Sequence, residues 1–296
     1  MSHRDYYAGI ALRLLSAFLI TATSAAVHGV AATVPVGQIM FWRSAIALIP
    51  ILGYMAWRGN FPAALLSRYP RLHATRGLLG AVSMALSFLS LAYLPVANAQ
   101  ALAYLAPVLS LPMAAFLLRE KLSAPIIAAV ALGFAGVIAL LWEALDMPGE
   151  GALIGVAAGL AYAFTMAFVR VHTKRMTVTE SSSTIAFYFA VVAALVGLAT
   201  LPFGWVTLDG THYVWLILAG LLGGIGHIVS NEATARAPVS TLAPFDFTGL
   251  IWALGFDLIL FATFPGPLGL VGVAAITAAA LLVTFAGHPR RIAPGK

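Results

Sequence analysis

Long apolar runs alternate along the chain with short punctuation rich in charge, Pro or Gly, and the runs are apolar throughout rather than on one face. Ten stand out, near residues 11–32, 37–57, 74–93, 97–118, 124–142, 151–170, 183–202, 212–230, 240–261 and 267–286. A helix of about 20 apolar residues crosses the hydrocarbon core of a bilayer. A transmembrane barrel reads instead as short alternating segments. The pattern therefore predicts an all-α membrane protein with ten transmembrane helices. The first run exceeds the 7–15 residues or so of a signal-peptide core, so it is kept as a helix.

Composition narrows the classes further. Of 296 residues, 61% are hydrophobic and 9% charged, and mean hydropathy is +0.98. Ten spans use about 200 residues, which leaves no room for a soluble catalytic domain. The net charge of +6 follows the loops. Arg4, Arg13, Arg58, Arg68, Arg71, Arg76, Arg119, Lys121, Arg170, Lys174, Arg175, Arg236, Arg290, Arg291 and Lys296 lie at the termini, in even-numbered loops or at the adjoining ends of runs, and only Arg43 lies deeper in a run. The odd loops carry Glu143, Asp146, Glu150 and Asp209. Cytoplasmic loops collect Lys and Arg. Both termini are therefore expected in the cytoplasm, in a multi-pass protein of the bacterial inner membrane. The basic charge then needs no nucleic-acid partner.

There are no cysteines, so disulfides and thiolate chemistry are excluded. No G-x4-G-K-[ST] or H-E-x-x-H string occurs, so neither P-loop hydrolysis nor that class of metalloprotease is indicated. No cofactor or metal is predicted.

The chain resembles itself at an offset of 143. Residues 77–97 (GLLGAVSMALSFLSLAYLPVA) and 220–240 (GLLGGIGHIVSNEATARAPVS) agree at eight of 21 positions, including GLLG and a Pro-Val pair. The unit holds five helices, an odd number, so a second copy enters the membrane from the other side. Residues 1–143 and 144–296 are thus expected to be inverted-topology repeats. In secondary transporters such repeats place the substrate site near the midplane, between the halves.

Arg43 within Phe41-Trp42-Arg43, Pro107, and Leu118-Arg119-Glu120-Lys121-Leu122 before helix 5 resemble motifs of the drug/metabolite transporter superfamily in its ten-helix EamA-type branch. Position 263 is Thr and position 186 is Ala where a second copy of Glu120 and Arg43 would fall, so the second half departs from the pattern. Within the family the whole sequence looks most similar to YddG-type exporters of aromatic and other amino acids. The resemblance implies export of small metabolites through a central cavity lined mainly by helices 1, 3, 4, 6, 8 and 9.

Ionisable groups at bilayer depth face a cavity or a partner. Arg43 either snorkels or pairs, or it binds a carboxylate through its fork. His227, Ser230, Asn231 and Thr234 make one stripe on helix 8, and Ser83 and Ser87 a pair on helix 3. Both sets serve as interhelical glue or as cavity lining. His227 can exchange a proton near neutral pH. Asp246 is a candidate for a substrate amino group or a proton, with pairing to Arg236 as the alternative. Asp257 lies near the outer end of the same helix. Tyr104, Tyr162 and Trp252 are the aromatic candidates for stacking on cargo. Pro107, Pro112 and Pro244 are candidate kinks or hinges. Gly151, Gly155 and Gly159 let helices pack closely.

These features favour a carrier of amino acids and related small metabolites working by alternating access, with lipid and a small-molecule substrate as its partners. One chain suffices to enclose such a site. The competing readings are a multidrug or quaternary-ammonium exporter of the same fold, a channel, and an intramembrane enzyme. About 16 Å of helix separates Asp246 from Asp257, too far for paired-carboxylate catalysis.

Overall fold

A computed structural model describes residues 3–59, 61–62, 65–67, 69–106, 108–109, 124–146, 151–176, 180–236, 242 and 245–286. Among these residues there are ten α-helices: α1 (His3–Ala31), α2 (Val36–Trp57), α3 (Pro70–Tyr93), α4 (Val96–Ala103), α5 (Ala124–Asp146), α6 (Ala152–Met176), α7 (Ser182–Leu198), α8 (Gly210–Arg236), α9 (Thr248–Phe261) and α10 (Pro267–Ala286). One falls within each expected span. Five contain at least 18 consecutive residues apolar enough to cross a bilayer, and α5, α7, α9 and α10 carry shorter apolar stretches. Ile49, Ile138, Ile251 and Ile259 stand exposed on the outside of the bundle, where lipid is the favourable neighbour.

Several helices run past the expected ends. α1 starts eight residues early, α3 four, and α8 ends six late, at Arg236. Arg13, Arg76 and Arg236 were read as punctuation, but Arg is a good helix former and does not stop a helix. Stops come from other chemistry. Pro35 and Pro95 precede α2 and α4, Ser181 Oγ accepts the Thr184 N–H at the start of α7, and Asp209 accepts the His212 N–H at the start of α8. That last hydrogen bond holds the exposed Asp209 carboxyl below its ordinary pKa. The loop before α8 turns at Gly204, whose φ of +94° suits a residue without a Cβ.

Contacts at helix ends establish the up-and-down order. The first residues of α2, α4, α6 and α8 meet the last residues of α1, α3, α7 and α9 through Gln38–Val206, His28–Leu91, Asp257–Val96, Thr33–His212 and Gly155–Leu94. We call this the opposite face, and the end that bears the α1 N-terminus and Arg58, Arg71 and Arg236 the basic face. The principal helix pairings recur when α1–α5 are exchanged with α6–α10, although smaller ones such as α1 with α3 have no comparable counterpart among the described residues. α1 packs on α8 as α6 does on α3, α2 on α8 as α7 does on α3, and α1 on α9 as α6 does on α4. α2–α7, α4–α9 and α5–α10 pair across the exchange axis.

The repeated GLLG segments serve these crossings. A Cβ on Gly77 would lie 2.7 Å from Val192, and one on Gly80 would lie 2.7 Å from Phe189, so α3 and α7 need glycine to touch. A Cβ on Gly220 would lie 2.5 Å from Ile46, and one on Gly224 would lie 2.6 Å from Pro50, so α8 meets α2 in the same way. Gly155 and Gly159 receive Leu94 and Leu102, the close packing expected of small residues at that spacing.

Candidate functional site

A cavity occupies the interior of the bundle, in connected lobes. One lobe, about 900 Å3 of empty space, is bordered by Arg43, Arg76, Ser87, Phe88, Tyr162 and His227 among others. It meets a second of about 870 Å3 at Ile20, Gln100, Ala103 and Tyr162, where Arg13, Tyr104, Ser230 and Asp246 also line the wall. A third, smaller lobe shares Arg43, Arg76, Phe189 and His227 with the first and adds Asn231. Small-molecule sites span about 300–1,000 Å3. The space open to a water-sized molecule is about 200 Å3 in the first lobe and 220 Å3 in the second, so ligand size is reached by the two together. Beyond Leu91 and Ala99, toward the opposite face, Val27, Val30, Leu94, Val96 and Leu216 are fully buried, and a separate groove lies at that face by Thr33, Val36 and Tyr93. α2 and α7 line the cavity in addition to the six helices expected.

Arg43 is the centre of the first lobe. It is only 6% exposed, and its Nη2 lies 3.2 Å from His227 Nε2. A guanidinium can only donate, so His227 presents an unprotonated Nε2 as acceptor. Arg43 Nε is buried and has no hydrogen-bond partner among the described residues. Its place exists because residue 223 is glycine, since a Cβ there would stand 2.8 Å from Nη2. Snorkelling to the surface is thereby overturned. Arg76, read from sequence as a loop cation, borders the same lobe with its guanidinium 4.9 Å from the centroid of the Phe189 ring. Phe189 in turn meets the His227 ring edge-on, with centroids 6.5 Å apart.

Asp246 pairs with Arg13 and not with Arg236, which engages Glu232 within α8. Arg13 forks onto both carboxylate oxygens, with Nη2 donating to Oδ2 at 2.6 Å, while Nη1 donates to Ser230 Oγ at 2.7 Å. Arg13 was counted among the terminal loop charges. Nothing in the apolar pattern separates an arginine at the end of a span from one a turn inside a longer helix. Tyr104 lines the second lobe, and its hydroxyl donates to the Asp246 carbonyl at 2.8 Å. Tyr162 borders both large lobes.

Other expected site residues lie elsewhere. Ser83 is fully buried and donates to Thr165 Oγ1 at 3.0 Å, which ties α3 to α6, and it does not border the cavity. Ser87, one turn on, does border it. Trp252 is 44% exposed on the outside, edge-on to Phe18 at 5.0 Å. Asp257 is fully buried away from the cavity. It accepts the Val96 and Ala97 N–H groups at 2.8 and 2.7 Å, capping the free end of α4. Pro107, Pro112 and Pro244 lie outside the described residues. Asn231 lines the cavity as part of the α8 stripe, while Gln100 and Phe189 line it with no signal in the apolar pattern to single them out.

Residues 7–142 match the EamA-like transporter family, a family of transporters rather than enzymes. Over nearly its full length the chain is similar to the pseudopaline exporter of Pseudomonas aeruginosa, with 25% identity covering 93% of this chain and 95% of that one. It is also similar to the S-adenosylmethionine uptake transporter of Rickettsia felis (24% identity, 84% and 82% covered) and to the riboflavin transporter of Rhizobium johnstonii (28%, 84% and 81%). None of these names singles out the YddG-type amino acid exporters. A crystal structure that is 22% identical superposes with a TM-score of 0.65, covering 97% of this chain and 99% of the other, and so shares the fold.

Proposed function

We propose that this chain, a multi-pass membrane transporter of small metabolites whose first half matches the EamA-like family, carries carboxylate-bearing metabolites, amino acids including aromatic ones among them. The cavity lies within one chain, between helices contributed by residues 1–143 and by 144–296, which we read as inverted repeats related by alternating access. The basic face is read as cytoplasmic on the loop charges, in a bacterial inner membrane. The cavity then extends toward the cytoplasm and is sealed outside, the state in which an exporter loads.

The carrying observation is Arg43. A buried guanidinium borders a ligand-sized cavity, with one N–H unsatisfied among the described residues. Fork geometry suits a carboxylate. Phe88, Tyr162 and Phe189 supply an apolar wall for the rest of the cargo. The layer of buried Val27, Val30, Leu94, Val96 and Leu216 that closes the cavity at the opposite end disfavours a channel. The relatives' names span both export and uptake and three unlike cargoes, so direction and cargo rest on the geometry.

The test is counterflow in liposomes with tyrosine, phenylalanine, threonine, methionine, a nucleotide sugar and a quaternary ammonium dye. Saturable exchange of amino acids with cross-competition is expected. Tyr162→Ala should lower exchange of aromatic cargo several-fold more than that of threonine. Uptake of the dye alone would overturn the cargo, and flux without saturation would overturn the carrier.

A further inference from the structure

We propose that the cavity prefers cargo of net negative charge, with a carboxylate seated at Arg43 and Arg76, and that a free ammonium group on the cargo weakens binding. This rests on the transport reading above.

Charge along the wall carries the inference. The lobes are bordered by Arg13, Arg43 and Arg76 and by one carboxylate, Asp246. Both Asp246 oxygens are held by the Arg13 fork, so an ammonium seeking Asp246 has to displace a bidentate guanidinium. Four further carboxylates have described side chains, and each is engaged away from the cavity. Glu180 accepts from Ser67 Oγ, Asp209 caps α8, Glu232 holds Arg236, and Asp257 caps α4. His227 directs its Nε2 lone pair to Arg43. The first lobe therefore presents two guanidinium groups linked by the His227 and Phe189 rings, with no carboxylate among the described residues of its wall. In a cavity of low dielectric, an ammonium so placed is repelled and also loses water. A carboxylate there gains charged N–H donors without upsetting the charge balance.

Three molecules of one skeleton separate the charges: phenylpyruvate (net −1), phenylalanine (net 0) and phenylalanine amide (net +1). Each is measured in counterflow with the purified full chain. Phenylpyruvate is expected to exchange with a KM at least tenfold below that of phenylalanine, with the amide inactive. Arg76→Gln should shrink that gap to less than threefold, and Arg76→Lys should preserve it. Phenylalanine equal to or better than phenylpyruvate would overturn the charge preference while leaving the transport reading intact. A gap that persists in a folded Arg76→Gln protein would overturn the part given to Arg76. Absence of saturable flux for all three and for the wider panel would instead overturn the transport reading.

Discussion

Asp257 shows how a carboxylate inside an apolar helix can be structural. Chain direction breaks between α3 and α4 at Leu94 and Pro95, and a helix beginning there leaves N–H groups without partners. Asp257, arriving from α9, accepts two of them and places negative charge at the helix start. Asp257→Ala removes both acceptors and leaves two buried donors bare. The expected cost is about 3 kcal/mol, read as a lower thermal unfolding midpoint in detergent, with unchanged cargo KM in the protein that remains folded. A KM shift with unaltered stability would place Asp257 in the binding machinery instead. From sequence Asp257 could only be flagged as costly, because its partner is backbone 160 residues away. Arg43 was legible for the same reason, since an arginine within an apolar run must have a reason to be there. Arg13 and Arg76 were not, because a cation in the first turn of an apolar run reads the same whether the helix starts there or several residues earlier.

At the scale of helices, the α8 stripe is divided among neighbours. His227 faces Arg43 of α2, Ser230 faces Arg13 of α1, and Asn231 borders the smallest lobe. The spacing i, i+3, i+4 put these residues on one face, as periodicity predicts, but which helices meet that face is decided by the GLLG crossings. Arg13, Ser230 and Asp246 join α1, α8 and α9 beside the cavity. Removing one charge of a partly buried pair leaves the other uncompensated, a penalty of about 2–5 kcal/mol. Arg13→Gln and Asp246→Asn are each expected to slow counterflow at least tenfold while still reaching the membrane. The double variant should recover much of the loss, because it leaves no bare charge, with a coupling of about 1–3 kcal/mol. Strictly additive losses in rate would show that the two side chains act independently, with Asp246 meeting cargo or proton directly.

For the whole molecule, ten spans and their order were legible because bilayer length and loop charge are one-dimensional signals. The grouping of helices was not, since it follows from contacts that cross the repeat boundary. Two mixed bundles emerge: α1, α2, α8 and α9 in one, and α3, α4, α6 and α7 in the other, each borrowing helices from both halves of the sequence. Exchange of α1–α5 with α6–α10 converts one bundle into the other, so these bundles, rather than the sequence halves, are the units expected to rock. Polar links between them on the opposite face are His28 of α1 on the Leu91 carbonyl of α3 and Asp257 of α9 capping α4. Beside the second lobe the Tyr104 hydroxyl reaches the Asp246 carbonyl across the bundles, while Tyr54–Glu232 and Arg13–Asp246 stay within one. The chain has no cysteine of its own, so paired replacements can be cross-linked without background. A short thiol cross-linker between His28→Cys of α1 and Leu91→Cys of α3, whose ring nitrogen and carbonyl lie 2.5 Å apart, joins the two bundles and should abolish counterflow until the linker is cleaved. The same linker between Thr33→Cys and His212→Cys spans α1 and α8 at the opposite face, where these side chains lie 3.0 Å apart, but stays within one bundle and should leave at least half the flux. Inhibition by both cross-links, or by the second alone, would show that α1 and α8 separate during transport and that the bundles are drawn wrongly.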